Sequence, residues 1–263
     1  IVASGFLISL IGTPLCDILA NLGSWRFAFL LLVFPTALIG IIFSFFGIPS
    51  IEQKKLVSIK EKLDIRKVTK IFLDKSVLSC IIGGFFFTGA VIGTFAIAFY
   101  RLEFSISRTE SVYILLMIAF LAILGSFIPS KLKHRFSIKS LTVISVLGNG
   151  ICNILIFLAP SLWLALTFNF ITTVFITMAT SSYHCLVLEQ VPQFCGTTVS
   201  LFRVTTGIGL IIAPALAGSL LVMFTSAPTQ IAYLAAGIGI GTMNIVSACI
   251  IYFFTKGSQK SAD

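Results

Sequence analysis

Charge is scarce in this chain. Asp, Glu, Lys and Arg make up 10% of its 263 residues, against roughly 25% in a water-soluble domain. Tryptophan and histidine occur only twice each. The six cysteines (Cys16, Cys80, Cys152, Cys185, Cys195 and Cys249) form no C-x-x-C pair. Most lie in apolar stretches, so they read as small membrane-embedded hydrophobes rather than a disulfide framework or a zinc site. The H-E-x-x-H, G-x-S-x-G and P-loop patterns are missing. The chain is therefore expected to be neither an enzyme nor an ATP-driven pump, and no cofactor or metal is expected. The low charge also excludes an ordinary soluble domain.

What is abundant is hydrocarbon. Hydrophobic residues make up 57% of the chain, 26 of them Phe, and the mean hydropathy is +1.09. The apolar runs are about 20 residues long, enough for a helix to cross about 30 Å of lipid. A β-barrel would instead show segments of about ten residues with polar positions alternating. Helices satisfy their own backbone where no water is present. The fold class is therefore an all-α polytopic membrane protein, with spans near 2–22, 26–48, 76–99, 111–130, 140–159, 162–182, 197–222 and 230–254. Pro14, Pro35 and Pro214 fall inside spans, where neighbouring helices can accommodate them. The first run lacks a basic leader and is followed by another span, which argues against a signal peptide. Ile1 is not an initiator Met, so the chain is expected to be incomplete at its N-terminus.

The cations sort to one side. Lys54, Lys55, Lys60, Lys62, Arg66, Lys67, Lys70 and Lys75 fall in 51–75, Lys131, Lys133, Arg135 and Lys139 in 131–139, and Lys256 and Lys260 after the last span. With eight spans, all three segments share a face, and the positive-inside rule makes that face cytoplasmic. Arg26, Arg101 and Arg108 lie opposite. The net charge of +9 is thus accounted for by topology, and no nucleic-acid role is expected. Within 51–75, Leu56, Ile59, Leu63, Ile65, Val68 and Phe72 recur at helical spacing among lysines. This pattern predicts an interfacial amphipathic helix near anionic lipid.

Two stretches echo each other, LIGTPL from Leu10 and LIIAPA from Leu210. Matching helices far apart in a chain suggest internal repeats, the architecture of secondary transporters. The first span carries Gly5, Gly12, Pro14 and Asp17. It resembles the GxxxGPxxGG fifth-helix motif of the drug:proton antiporter branch of the major facilitator superfamily, with Thr13 in place of a Gly and Cys16 and Asp17 in place of the final pair. LGSWRFAF (Leu22–Phe29) resembles the WRxxF opening of the sixth helix. GSFIPSKLKHRF (Gly125–Phe136) resembles the basic loop between helices eight and nine, without its acidic residue. Val191–Gly218, with Pro192, Gly196, Ser200, Arg203, Gly207, Pro214 and Gly218, resembles the start of helix eleven.

This resemblance implies helices five to twelve of a twelve-helix fold, the first four lying outside the given sequence. Residues 1–50 would be the last two helices of the N-terminal bundle and 51–75 the cytoplasmic amphipathic linker. Residues 76–255 would form the C-terminal six-helix bundle and 256–263 a cytoplasmic tail. The echo would set the Pro14 helix against the Pro214 helix. The implied function is secondary active transport of a small molecule across the plasma membrane, as proton-coupled efflux by alternating access with the proton gradient as the coupling source. The rivals are a sugar or organic-acid uptake symporter, and a transport-inactive scaffold or truncated remnant. The expected partners are the lipid bilayer and a small-molecule substrate; no oligomeric state is implied.

Several side chains are candidates for that function. Asp17 is the carboxylate placed furthest inside a span, which is costly unless it is paired, hydrated or protonated. It reads either as a proton- or substrate-coupling residue or as an interfacial residue pairing with Arg26. Asn149, Asn153, Asn169, Thr173, Thr177 and Asn244 read as cavity-lining groups or as interhelical hydrogen-bonding groups, with Thr172 beside them. Gly5, Gly12, Pro14, Gly207, Pro214 and Gly218 read as packing positions or as bending points, with Gly209 among them. Glu189 and Arg203 read as a cytoplasmic gate or as interfacial anchors. His184 and His134 read as interfacial, the latter within the basic cluster. Trp25, Tyr100, Tyr113 and Trp163 read as an aromatic belt.

Overall fold

A computed structural model describes residues 2–47, 74–87, 92–191 and 195–256. Among them there is no strand, and the chain runs through α1 (Val2–Leu22), α2 (Trp25–Ala28), a π-helix (Phe29–Val33), α3 (Phe34–Gly47), α4 (Lys75–Phe86), α5 (Ile92–Glu103), α6 (Arg108–Leu132), α7 (Ile138–Leu158), α8 (Leu162–Gln190), α9 (Cys195–Met223) and α10 (Thr229–Phe254). Among the described residues, six helical stretches, beginning at Arg26, Arg108, Ile138, Leu162, Thr198 and Thr229, are long and apolar enough to cross a membrane. The chain is an all-α integral membrane protein. The expected amphipathic helix at 51–75 and the tail at 256–263 lie almost wholly outside the described residues.

The expected spans reappear as helices with two departures. The span at 76–99 is two helices, α4 and α5, because α4 ends at Phe86 and Phe87 caps it. The span at 162–182 continues to Gln190, because Ser181 to His184 are polar but remain good helical residues beyond the apolar stretch. In the second span the π-helix Phe29–Val33 precedes Pro35. Proline cannot donate to the carbonyl one turn back and its ring crowds that carbonyl, and a widened turn relieves both problems. The hydroxyl of Thr36 then donates to the carbonyls of Leu32 (2.6 Å) and Val33 (3.0 Å).

Helices α4 and α6–α10 interlock, with α7 against both α8 and α10, α6 against α8, and α9 against α4 and α10. Small residues let these axes approach. A Cβ at Gly150 would stand 2.9 Å from the Gly241 carbonyl oxygen, and one at Gly209 would stand 2.1 Å from that of Phe85. One core cluster gathers Phe99, Tyr100, Phe157, Tyr233 and Ile240. A second gathers Cys80, Val146, Tyr183, Phe202 and Ile251. Tyr183 donates to the Cys80 carbonyl at 2.9 Å, in the space that Gly83 leaves by having no side chain.

The remaining helices are attached differently. α1 packs on α6, and α2 packs on α1. The expected contact between the Pro14 and Pro214 helices is not among the principal helix pairings of the described residues: α1 lies mainly on α6, whereas α9 lies mainly on α4 and α10. The physical reason is visible at the glycines. Nothing described stands within 4 Å of a Cβ added at Gly12, Gly207 or Gly218, so these positions offer no close-approach surface. An echo in sequence marks like helices without specifying contact between them.

Candidate functional site

The site is built where α1 ends and α6 begins. Asp17 lies in the last two turns of α1, and Arg108 is the first residue of α6. Ser107 caps α6 through a reciprocal capping box with Glu110, which fixes where the helix starts and so where Arg108 stands. Cations are disfavoured at a helix N-terminus by its partial positive charge. Here the guanidinium has a counter-ion: Arg108 Nη2 lies 2.7 Å from Asp17 Oδ1. Asn21, one turn further along α1, donates to Asp17 Oδ2 at 3.5 Å. The Asp17 side chain keeps 24% of its exposure and that of Arg108 56%. An ion pair this wet contributes about 0–1 kcal/mol, which is weak enough to open and close reversibly.

The pair borders an open cleft of about 350 Å³ lined by Cys16, Asp17 and Ala20 from α1, Ala28 and Phe29 from the second span, and Arg108 and Val112 from α6. Three helical segments therefore meet around the carboxylate picked out in the sequence. Its partner Arg108 was assigned there only to a side of the membrane. The available signal was a cation at a helix start, where it is electrostatically out of place.

The other candidates fall in three places. Asn149, Asn153, Asn169, Thr173, Thr177 and Asn244 are all buried, between 0% and 5% exposed. Their side chains sit inside the packed helices. Asn169 donates to the Tyr100 hydroxyl at 3.0 Å, and Tyr100 donates to the Ala165 carbonyl at 3.2 Å. Thr173 and Thr177 donate to carbonyls one turn back, at 2.9 and 3.0 Å. Tyr100 is thus a core residue and not part of an aromatic belt, because Asn169 and the Ala165 carbonyl give its hydroxyl buried partners. Tyr113 and Trp163 do face outward, 63% and 80% exposed; the Trp25 side chain lies outside the described set.

Pro14 and Pro214 are carried within unbroken α1 and α9, as are Gly5 and Gly12, and Gly207 and Gly218, respectively. Glu189 and Arg203 are exposed near one end of α8 and α9, and no ion pair joins them. His184 sits edge-on to Phe202, with ring centroids 5.3 Å apart.

That same end holds a clasp the sequence reading missed. Asp74 caps α4 by accepting from the Ser76 amide (2.8 Å), and its carboxylate pairs with Lys256 at 3.5 Å. The hydroxyl of Ser76 donates to Gln190 and accepts from the Lys256 amide. Ser79 and Thr255 share a hydrogen bond of 2.7 Å, and Lys139 donates to the Thr255 carbonyl. The edges of the three basic segments, at Asp74, Lys139 and Lys256, are thereby held together.

Comparison with known proteins gives one family. The family model described as Major Facilitator Superfamily matches residues 1–214. No curated protein matches this chain.

Proposed function

The chain belongs to the Major Facilitator Superfamily and is a membrane transporter of small molecules; from that premise we propose proton-coupled efflux by alternating access, with Asp17 and Arg108 as a latch between its two halves. The observation that carries this reading is the 2.7 Å ion pair between α1 and α6. By resemblance, α1 belongs to the first bundle and α6 to the second. When Asp17 is ionised, the pair holds the ends of the two helices together. A proton taken up by Asp17 removes one charge of the pair and leaves Arg108 to water, so the ends part and the cleft widens. Loss of the proton closes them again. Such a cycle links one proton to one opening, as an antiporter requires. Efflux is supported by the likeness of the Gly5–Asp17 stretch to the antiporter motif.

The same reading sets the protein in the plasma membrane, with residues 51–75 and the C-terminus in the cytoplasm. It is supported by the fourteen cations of those segments and of 131–139 and by the clasp that gathers their edges. The latch then faces outward.

The test uses the full-length protein in inverted membrane vesicles, with ethidium as the probe and a pH-sensitive dye reporting the gradient. Ethidium is expected to accumulate when a gradient is imposed and to dissipate it. Asp17→Asn is expected to abolish the gradient dependence while the protein remains folded. Coupling left intact in that variant would remove Asp17 from the mechanism. Failure to move ethidium, a sugar or an organic acid would favour the scaffold reading.

A further inference from the structure

Among the described residues most buried hydroxyls and amides have a partner, and the exceptions are Thr172 Oγ1 and the amides of three asparagines. Thr142, Ser145, Thr173, Thr177 and Ser182 each return a hydrogen bond to a carbonyl of their own helix. Ser247 donates to the Gly83 carbonyl at 2.7 Å, and Asn169 donates to Tyr100. Asn149, Asn153 and Asn244 differ. All three are 0% exposed, yet both polar atoms of Asn149, both of Asn153 and Oδ1 of Asn244 have no partner. Only Nδ2 of Asn244 is used, donating to the Ile240 carbonyl at 3.1 Å.

The three amides flank one helix crossing. Asn149 and Asn153 are one turn apart on α7 and share a face. On α10, Asn244 lies beside Gly150, where an added Cβ would stand 3.1 Å from the Asn244 Cβ, and Gly237, further along α10, lies beside Asn153, where a Cβ would stand 3.4 Å from the Asn153 carbonyl oxygen. A buried polar group left without a partner is costly, and five such atoms belong to these three side chains, so an occupant that pairs with them is favoured.

The chemistry of the set selects it. Three acceptors (the amide oxygens) and two donors (the free Nδ2 groups) need a ligand that both gives and takes hydrogen bonds. A metal cation would take the oxygens but would face two N–H-bearing groups of the same sign. A transported solute would have to reach side chains that are all 0% exposed. Water meets both demands, and a buried water makes about three hydrogen bonds, so about two molecules complete the set. We propose that Asn149, Asn153 and Asn244 bind a sealed cluster of water between α7 and α10. The site is separate from the Asp17–Arg108 cleft, does not rest on the transport reading, and serves to keep the crossing in one register.

A structure of the full-length protein in lipid nanodiscs, at a resolution that shows ordered solvent, tests it directly. Density is expected at hydrogen-bonding distance, about 2.7–3.2 Å, from at least two of the three amides. Amides turned to bond one another with no density between them overturn the proposal. So does a density coordinated at about 2.4 Å by oxygens alone, the signature of a cation. Thermal unfolding gives a second readout. With water bound, Asn149→Leu strands the molecules that the other two amides share, and Tm falls by about 3 °C. The triple change to Leu at 149, 153 and 244 recovers part of that loss. In a dry site, Asn149→Leu alone removes an unpaired group and raises Tm, which contradicts the proposal.

Discussion

The span Arg26–Phe43 and the helix α7 are nearly equal in apolar character over a membrane-length window, yet 6% of the first is buried against 50% of the second. Among the described residues the two segments also differ in which residues each carries. The Arg26–Phe43 span presents Phe29, Leu30, Phe34, Ile41 and Phe43 outward, each at least half exposed. α7 carries Ser145, Asn149, Gly150, Cys152 and Asn153 at its buried face. In lipid, bulk apolarity drives insertion but not association, because the tails are as apolar as a leucine. Helices join through small residues, which bring backbones close, and through polar groups, which find partners. Composition therefore marks which segments enter the membrane, and in α7 small and polar positions line the packed face.

Substitutions at glycine break this comparison most sharply. Gly209→Ala sets a Cβ about 2 Å from the Phe85 carbonyl oxygen and is expected to destabilise the packed helices by about 2–3 kcal/mol, read by unfolding in mixed micelles. Gly40→Ala in α3, with nothing described within 4 Å, is expected to change stability by less than about 1 kcal/mol, in the stabilising direction of helix propensity. Equal losses at both sites would erase the distinction between the regions. Next in size is Tyr100→Phe, which leaves the Nδ2 of Asn169 unpaired in the core. A loss of about 1 kcal/mol is expected, while Tyr113→Phe, at an exposed hydroxyl, is expected to be silent in the same assay. Smallest are Phe46→Ala and Arg108→Ala, each within about 0.5 kcal/mol of the parent protein by unfolding. Arg108→Ala nonetheless is expected to lower coupled ethidium transport at least tenfold, whereas Phe46→Ala leaves it unchanged. That split between stability and activity separates a latch from a packing residue.

The helical spans were legible because crossing a bilayer demands a long apolar run, a constraint local to each segment. The break between α4 and α5 was not, since hydropathy is continuous across Gly83 to Phe99. The contacts that α4 makes are non-local, with Tyr183 and Phe202 in the spaces at Gly83 and Gly84. Asp17 stood out as a carboxylate inside a span, but its partner lies 91 positions away and no periodicity connects them. The asparagines were recognisable as polar residues on shared faces; that they are buried inside the bundle depends on how α7, α8 and α10 close on one another. Tyr100 was misassigned because proximity to a span's end is a property of the sequence, whereas its burial is set by Asn169 and Ala165 on another helix.

The claim at the centre is that α1 and α6 part and rejoin under control of the Asp17 charge. Spin labels at Ala20→Cys and Val112→Cys, with the native cysteines replaced, report the distance across the cleft by double electron–electron resonance. Two distance populations are expected in the otherwise unaltered protein, with the longer one enriched by Asp17→Asn, which carries no charge, as the protonated carboxyl does. A single distance, the same with Asp17 and with Asn at that position, would contradict the account.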